Sequence, residues 1–82
     1  MYISECIISI EIQQKIFKKH NLARVEIEDV FWHKPYYFRT RKNRYMAIGQ
    51  NVTVVFEYRN KAAVVITAYR SSRWQKKLYQ RK

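Results

Sequence analysis

The sequence predicts an α+β fold in which two N-terminal helices, an antiparallel sheet of four strands and a C-terminal helix follow one another. Three observations predict it. Apolar residues recur at helical spacing in residues 10–32, alternate with polar ones in much of residues 36–69, and give way to a basic helical segment from residue 73. We expect the 82 residues to form one domain, 1–82, because so short a chain has room for a single core.

The first predicted helix covers residues 10–20. Ser9 can cap its start, and Ile12 and Ile16 lie on one face at a spacing of four. Asn21 suits its end, because asparagine tolerates the left-handed conformation that often terminates a helix. Before this helix, residues 2–8 are compatible with an additional, fifth strand, although their periodicity is poor.

The second predicted helix runs from Arg24 to Trp32. Its acids lie in the early turns, where negative charge suits the helix dipole, and Pro35 ends it. The spacing of i, i+3 and i+4 identifies its apolar stripe as Ile27, Val30 and Phe31.

The four predicted strands form an antiparallel meander, separated by short turns rich in Asn, Lys and Gly. They cover residues 36–41, 44–49, 52–58 and 62–69. Ser72 and Gln75 can form a capping box for the last helix, in which Trp74 and Leu78 share the predicted packing face. We expect the helices to cover one face of the sheet.

The formal net charge of +11 is unevenly distributed along the chain. Residues 1–29 hold five acids and four cations, whereas residues 30–82 hold thirteen cations and one acid, Glu57. Charges that served solubility alone would be interspersed. A one-sided positive field attracts polyanions, so the composition indicates an RNA, a DNA or an acidic protein as partner.

Other function classes are disfavoured by what the sequence lacks. With one glycine and one cysteine, Cys6, it has no Gly-rich nucleotide loop, internal disulfide or cysteine-based zinc cluster. His20 and His33 are not spaced as a metal pair on one helix, and we expect neither a metal nor another cofactor. No apolar run approaches the ~20 residues of a membrane span. These features predict a cytoplasmic protein without a membrane partner.

Cleavage of RNA without a metal is compatible with this composition, because RNA carries its own nucleophile, the 2′-hydroxyl. The protein need only position the strand, remove and deliver protons, and stabilise charge on the phosphate oxygens. Arg, Lys, Tyr and His can do this, and the single acid after residue 29 leaves a magnesium ion almost no carboxylates near the basic surface. From the residues alone, the last helix is as compatible with a solvated amphipathic helix that closes the domain as with an RNA-binding surface.

Three stretches carry a resemblance to a known family. They are KKHNLARVEIEDVF at 18–31, RYMAIGQ at 44–50 and VVITAYRSSRWQKKLYQ at 64–80. Their order and spacing resemble those of the BrnT-type toxins, small RelE-like ribonucleases of bacterial type II toxin–antitoxin pairs. The resemblance implies a metal-independent endoribonuclease that binds RNA, is inhibited by an acidic antitoxin, and forms homo- or hetero-oligomers with it.

The resemblance also implies a set of site residues. The catalytic candidates are His20, Arg44, Arg70, Arg73 and Tyr79. The candidates for RNA binding are Lys19, which matches a basic position of the family, and five residues that the composition supplies as cations or aromatic rings: Tyr69, Lys76, Lys77, Arg39 and Arg41. Two positions depart from the family: Tyr69 stands where the family usually has arginine, and Gln75 where it usually has glutamate.

Two rival functions remain open: a non-catalytic RNA- or ribosome-binding module, and an inactive toxin fold that serves only as a corepressor. Several residues also have purely structural interpretations. We expect Cys6 to be a small buried apolar residue, His33 to be a loop residue, and Glu57 to pair with Arg59 or Arg44. The tyrosines expected to pack the sheet are Tyr36, Tyr37, Tyr45 and Tyr58.

Overall fold

The structure, a computed structural model, describes residues 1–81 and consists of one five-stranded sheet and three helices. In chain order the elements are β1 (Glu5–Ile7), α1 (Ile10–His20), α2 (Arg24–Trp32), β2 (Tyr36–Arg41), β3 (Arg44–Ile48), β4 (Val52–Arg59), β5 (Ala62–Arg70) and α3 (Arg73–Arg81). The α+β class and the predicted order of elements are confirmed. None of the helices described over residues 1–81 has the length and apolar character needed to cross a membrane.

The strand order in the sheet is β1-β5-β4-β3-β2. The antiparallel meander from β2 to β5 is confirmed, and the optional N-terminal strand exists. β1 is shorter than residues 2–8, because only Glu5–Ile7 pair with β5, and this pairing is parallel. Ser9 ends the strand segment by capping α1: its side chain accepts a hydrogen bond from the Ile12 N–H at 3.1 Å.

The end of α1 and the start of α3 test the predicted caps. Asn21 has φ 54° and its N–H donates to the Phe17 carbonyl at 2.9 Å, as a left-handed helix stop requires. At α3 the Ser72 N–H donates to the Gln75 side-chain oxygen at 2.8 Å. The Ser72 hydroxyl, however, is buried without a hydrogen-bond partner among residues 1–81, so only half of the predicted capping box forms.

The prediction that all helices cover one face of the sheet is wrong for α3. Phe31 of α2 packs edge-on against Phe56, with ring centroids 5.4 Å apart, so α2 covers the face on which Phe56 lies. Met46 pairs in register with Val55, the neighbour of Phe56, so its side chain lies on the opposite face. There Gln75 of α3 contacts the Met46 sulfur at 3.7 Å. The helices therefore sandwich the sheet.

The reason is that the middle of the sheet is apolar on both faces. Met46, Ala47 and Ile48 are consecutive buried residues of β3, and Val52 to Val54 are all buried in β4. Such strands need cover on both sides. The packing face of α3 is correspondingly different from the predicted one, because Gln75 is 1% exposed whereas Trp74 is 49% exposed.

The core between the sheet and α1–α2 is built around Phe56. Phe31 and Tyr37 meet its ring edge-on, and Tyr45 stacks on it with centroids 5.9 Å apart. Tyr58 in turn meets Tyr45 edge-on. The prediction that these three tyrosines pack the sheet is confirmed.

Cys6 on β1 is half-buried against this core. Burial raises the pKa of the Cys6 thiol to about 11, with a further increase from Glu28 and an opposing effect of Arg24. A thiol with so high a pKa stays protonated at neutral pH and is a poor nucleophile. The structural interpretation of Cys6 therefore fits its surroundings.

Candidate functional site

A cleft of about 550 Å³ lies at one end of the sheet, where α2, the β3–β4 turn, the end of β5 and α3 meet. α2 and α3 cover opposite faces of the sheet, and they approach each other at this end, where Tyr79 contacts His33. The ionisable side chains that line the cleft are Glu26, Asp29, His33, Arg70, Lys76 and Tyr79. They come from three separate segments of the chain.

A network of hydrogen bonds around Ser71 holds the walls of the cleft together. The Ser71 hydroxyl donates to the Gly49 carbonyl at 2.9 Å and lies 2.8 Å from the Thr53 hydroxyl, and its N–H donates to the Asn51 carbonyl. Gly49 is required in the turn because a Cβ there would lie 2.9 Å from the Val52 carbonyl oxygen. The network therefore fixes the end of β5 and the start of α3 relative to the β3–β4 turn.

Glu26 links the start of α2 to Arg70. One carboxylate oxygen accepts from the Ala23 N–H at 3.0 Å, and the other lies 4.0 Å from Arg70 Nη1. The Arg70 side chain is 57% exposed, so this contact adds little stability and leaves the guanidinium open to the cleft. The expectation that carboxylates lie away from the basic surface is wrong here, because folding brings Glu26 and Asp29 next to Arg70 and Lys76.

His33 ends α2 and faces the cleft. Its Nδ1 lies 2.8 Å from the Asp29 carbonyl oxygen. A carbonyl can only accept, so Nδ1 carries the proton in the neutral ring, and Nε2 is then an acceptor. The Tyr79 hydroxyl donates to the His33 carbonyl at 3.4 Å, which links α2 to α3. His33 lies in the turn after α2, so the prediction that it is a loop residue is confirmed. Its place in the cleft was not predicted.

No signal in the sequence around His33 connects it with α3, because Tyr79 is 46 positions away. No sequence signal connects Glu26 and Asp29 with α3 either, because acids in the early turns of a helix are explained by the helix dipole. A hint was available only in the presence of a histidine and two acids at the boundary between the acidic and the basic part of the chain.

The structure brings together some of the predicted site residues and separates others. Arg70, Lys76 and Tyr79 line the cleft. Arg73 and Lys77 are exposed on α3 outside the cleft lining, and Lys19 is exposed near the end of α1.

Two further predicted residues meet outside the cleft lining. The ring of His20, at the end of α1, is tilted against that of Tyr69, with centroids 6.3 Å apart. The Tyr69 hydroxyl accepts a hydrogen bond from Gln75 Nε2 at 2.9 Å and points to the Met46 sulfur at 3.5 Å. The two positions that depart from the family are therefore in direct contact and form a neutral pair.

The remaining predicted residues, Arg39, Arg41 and Arg44, lie at the opposite end of the sheet, around the β2–β3 turn. Arg44 pairs in register with Glu57, and Arg70 with Val52. These partners, Val52 and Glu57, lie five positions apart on β4, about 17 Å at 3.3–3.4 Å per residue. Arg44 therefore does not share a site with Arg70. The predicted ion pair of Glu57 forms, and its partner is Arg59.

No protein-family model matches the sequence, and no curated protein sequence matches it. Among solved structures, the chain is similar to the crystal structure of the Brucella abortus ribonuclease toxin BrnT. The TM-score is 0.70 and the identity 25%, and the match covers 84% of this chain and 97% of that chain. The chain therefore adopts a BrnT-like fold.

Proposed function

We propose that the protein is a metal-independent endoribonuclease that acts as the toxin of a toxin–antitoxin pair. The observation that carries the proposal is the cleft itself: proton-transfer groups from α2 and α3 meet cations from β5 and α3 within one concave site. The structural similarity to a ribonuclease toxin supports this chemistry.

His33 is the proposed general base. With Nδ1–H donated to the Asp29 carbonyl, Nε2 can take the proton of an RNA 2′-hydroxyl. The 2′-oxygen then attacks the adjacent phosphorus, and the bond from phosphorus to the 5′-oxygen breaks. The products are a 2′,3′-cyclic phosphate and a 5′-hydroxyl.

Charge stabilisation and protonation of the leaving group complete the proposed reaction. Arg70 and Lys76 lie in the cleft lining, and their fixed positive charge stabilises the negative charge that develops on the phosphate oxygens. Tyr79 supplies the proton to the leaving 5′-oxygen. His20 and Tyr69, outside the cleft lining, offer rings on which the flanking bases can stack.

The metal-independent mechanism needs a direct test, because Glu26 and Asp29 are carboxylates in the same cleft. Both Glu26 oxygens have neighbours, the Ala23 N–H and Arg70. Over residues 1–81, no three His, Cys, Asp or Glu side chains group in a way that could hold a metal ion. We expect cleavage to survive an excess of chelator.

The decisive experiment compares two RNAs that differ only at the 2′-position of the cut site. Cleavage of the natural strand, in chelator, should leave a 2′,3′-cyclic phosphate, and the 2′-methoxy strand should bind but stay intact. Cutting of the methoxy strand would show that the nucleophile is not the 2′-hydroxyl. Loss of activity in chelator with recovery on adding Mg²⁺ would show that the cleft is a metal site.

One observation favours a second candidate, a non-catalytic RNA-binding module. The neutral Tyr69–Gln75 pair stands where the family usually has an arginine and a glutamate, so two charged groups of the family are missing. Binding of both RNAs in the experiment above with cleavage of neither, at high protein concentration, would select this candidate.

The proposed partner is an acidic antitoxin, which the net charge of +11 would attract. A small acidic protein with a DNA-binding motif should be encoded in the adjacent reading frame. Co-expression should give a stable complex in which RNA cleavage is suppressed. Full ribonuclease activity of a co-purified complex would contradict the pairing.

A further inference from the structure

The end of the sheet opposite the cleft, called the hairpin end below, carries a second cluster of cations. Its members are Arg39, Arg41, Lys42, Arg44, Arg59 and Lys61. They lie on two neighbouring turns, between β2 and β3 and between β4 and β5. The Tyr58 N–H donates to the Asn43 carbonyl at 2.7 Å, which holds the two turns side by side.

Among residues 1–81, most of these cations have no acidic partner. Glu57, the acid within the cluster, is bound to Arg59. Glu5 pairs in register with Ala62, next to Lys61, yet forms no ion pair with another described residue. Over residues 1–81, no carboxylate lies within 4.0 Å of the cationic groups of Arg39, Arg41, Lys42, Arg44 or Lys61.

The register of the β2–β3 hairpin even places two cations directly opposite each other. Arg41 pairs with Arg44 across the strands, and a bulge lies between Arg39 and Arg41. Like charges directly opposite are destabilising in a sheet. The Nε atom of Arg44 is also buried without a hydrogen-bond partner among the described residues. Arg44 also pairs in register with Glu57, but that carboxylate is bound to Arg59, and over residues 1–81 neither Arg41 nor Arg44 forms an ion pair. Stability alone therefore does not account for the cluster.

We propose that the hairpin end is a second RNA-binding surface, which holds phosphates of a single strand whose other part enters the cleft. The inference rests on the proposed function only in taking RNA as the polyanion. It separates Arg39, Arg41 and Arg44 from the reaction centre and adds Lys42 and Lys61 to the binding surface.

Guanidinium groups bind phosphates and carboxylates alike, so the charges of the cluster suit either RNA or an acidic protein. An aromatic feature favours RNA as the occupant. An exposed aromatic pair lies beside the cluster. Phe38 of β2 pairs in register with Met46, two residues from Arg44, so it lies on the same face of the sheet as Arg44. Phe38 meets Trp74 of α3 edge-on at 5.9 Å, and the two side chains are 39% and 49% exposed. Exposed rings beside phosphate-binding cations are typical of single-strand binding surfaces.

The experiment measures binding of a fully 2′-methoxy RNA strand by fluorescence anisotropy over a range of salt concentrations. This strand resists the proposed chemistry, so the readout does not depend on cleavage. The strand should be longer than about seven stacked nucleotides, which at about 3.4 Å each cover the distance along β4 between the two ends. The test variant is Arg41→Gln with Lys61→Gln. The matched control, Lys15→Gln with Lys18→Gln, removes the same charge from exposed positions of α1.

The hairpin variant should weaken binding and reduce the slope of log K against log salt by about 1.4, since each lost contact with a single strand contributes about 0.7. The control should change the slope by much less. Equal changes in both variants, or no change in the hairpin variant, would overturn the proposal. So would unchanged RNA binding with lost binding to polyglutamate, which would assign the surface to an acidic protein.

Failure of this proposal and failure of the proposed function are distinguishable. If the wild-type protein binds the methoxy strand but does not cleave natural RNA, the ribonuclease mechanism fails while the hairpin surface stands. If natural RNA is cleaved but the hairpin variant binds as the wild type does, the second surface fails while the ribonuclease stands.

Discussion

The two ends of the sheet are both basic, yet their charges are arranged in opposite ways. At the cleft end, Arg70 approaches Glu26, and the exposed histidine ring of His33 contacts the Asp29 carbonyl. At the hairpin end, cations face other cations, and the acid within the cluster is bound to Arg59. The cleft end, with mixed charges and a histidine positioned by a hydrogen bond, suits proton transfer. The hairpin end, with unpaired cations, suits phosphate binding.

Net charge alone does not locate the proposed reaction centre. The hairpin end has more cations than the cleft, but it holds no histidine and its tyrosines, Tyr45 and Tyr58, pack against each other. The cleft has fewer cations and draws its acids from the part of the chain with balanced charge.

Replacing His33 with glutamine should cost the most activity, a fall in the cleavage rate of about 10²–10⁴-fold. Glutamine keeps a hydrogen bond to the Asp29 carbonyl possible but cannot take a proton. The matched control is His20→Gln, which changes a histidine outside the cleft and should have a much smaller effect. Single-turnover cleavage measures the rates of both variants. A larger loss from His20→Gln would move the base to the end of α1.

Replacing Arg70 with alanine should lower the cleavage rate by about 10²–10³-fold, as expected for loss of one charge-stabilising group. The protein should stay folded, because the exposed contact of Arg70 with Glu26 adds little stability. In cells, expression of the wild type should arrest growth and Arg70→Ala should relieve the arrest. Arg39→Ala is the control at the hairpin end, and it should weaken RNA binding without removing toxicity. Relief by Arg39→Ala alone would contradict the division between the two ends.

The pair of Tyr69 and Gln75 should be coupled. Gln75 is 1% exposed and its amide nitrogen contacts the neutral Tyr69 hydroxyl and Met46 sulfur, so Gln75→Glu buries a carboxylate against neutral groups and should cost about 1–3 kcal/mol. Burial raises the pKa of such a carboxyl, so the loss should grow as the pH rises through the ordinary carboxyl range. Adding Tyr69→Arg should recover about 0.5–3 kcal/mol by supplying the cation. Chemical denaturation of the four proteins of the double-mutant cycle measures this. Additive effects would show that the two sites are independent.

The smallest predicted effect is a gain in stability at the hairpin end. Arg41→Glu replaces a like-charge pair with Arg44 by an opposite-charge pair and should raise the Tm by about 1–4 °C. The same change at Arg81, on the last turn of α3, should give no such gain. Thermal unfolding at low salt is the measurement, and high salt should reduce the difference. A lower Tm for Arg41→Glu would show that the opposed cations are not a cost to the fold.

The secondary structure of this protein is determined by local features of the sequence. The caps at Ser9 and Asn21 set the limits of α1, and the alternation from Tyr36 onward sets β2. These signals depend on neighbours within a few residues, and the bounds of α1, α2 and β2 follow from them without knowledge of the rest. The antiparallel meander follows as well, because short turns join consecutive strands.

The tertiary structure alone decided which residues share a site. The runs of consecutive buried residues in β3 and at the start of β4 require cover on both faces, and the buried side chain of Gln75 anchors α3 on the second face. That placement brings Tyr79 to His33 across 46 positions of the chain and leaves Arg44 at the other end of the sheet. Composition and the family resemblance identified the chemistry, but local patterns carry no information on contacts between distant segments. Those contacts depend on how the apolar surface of the whole chain is buried.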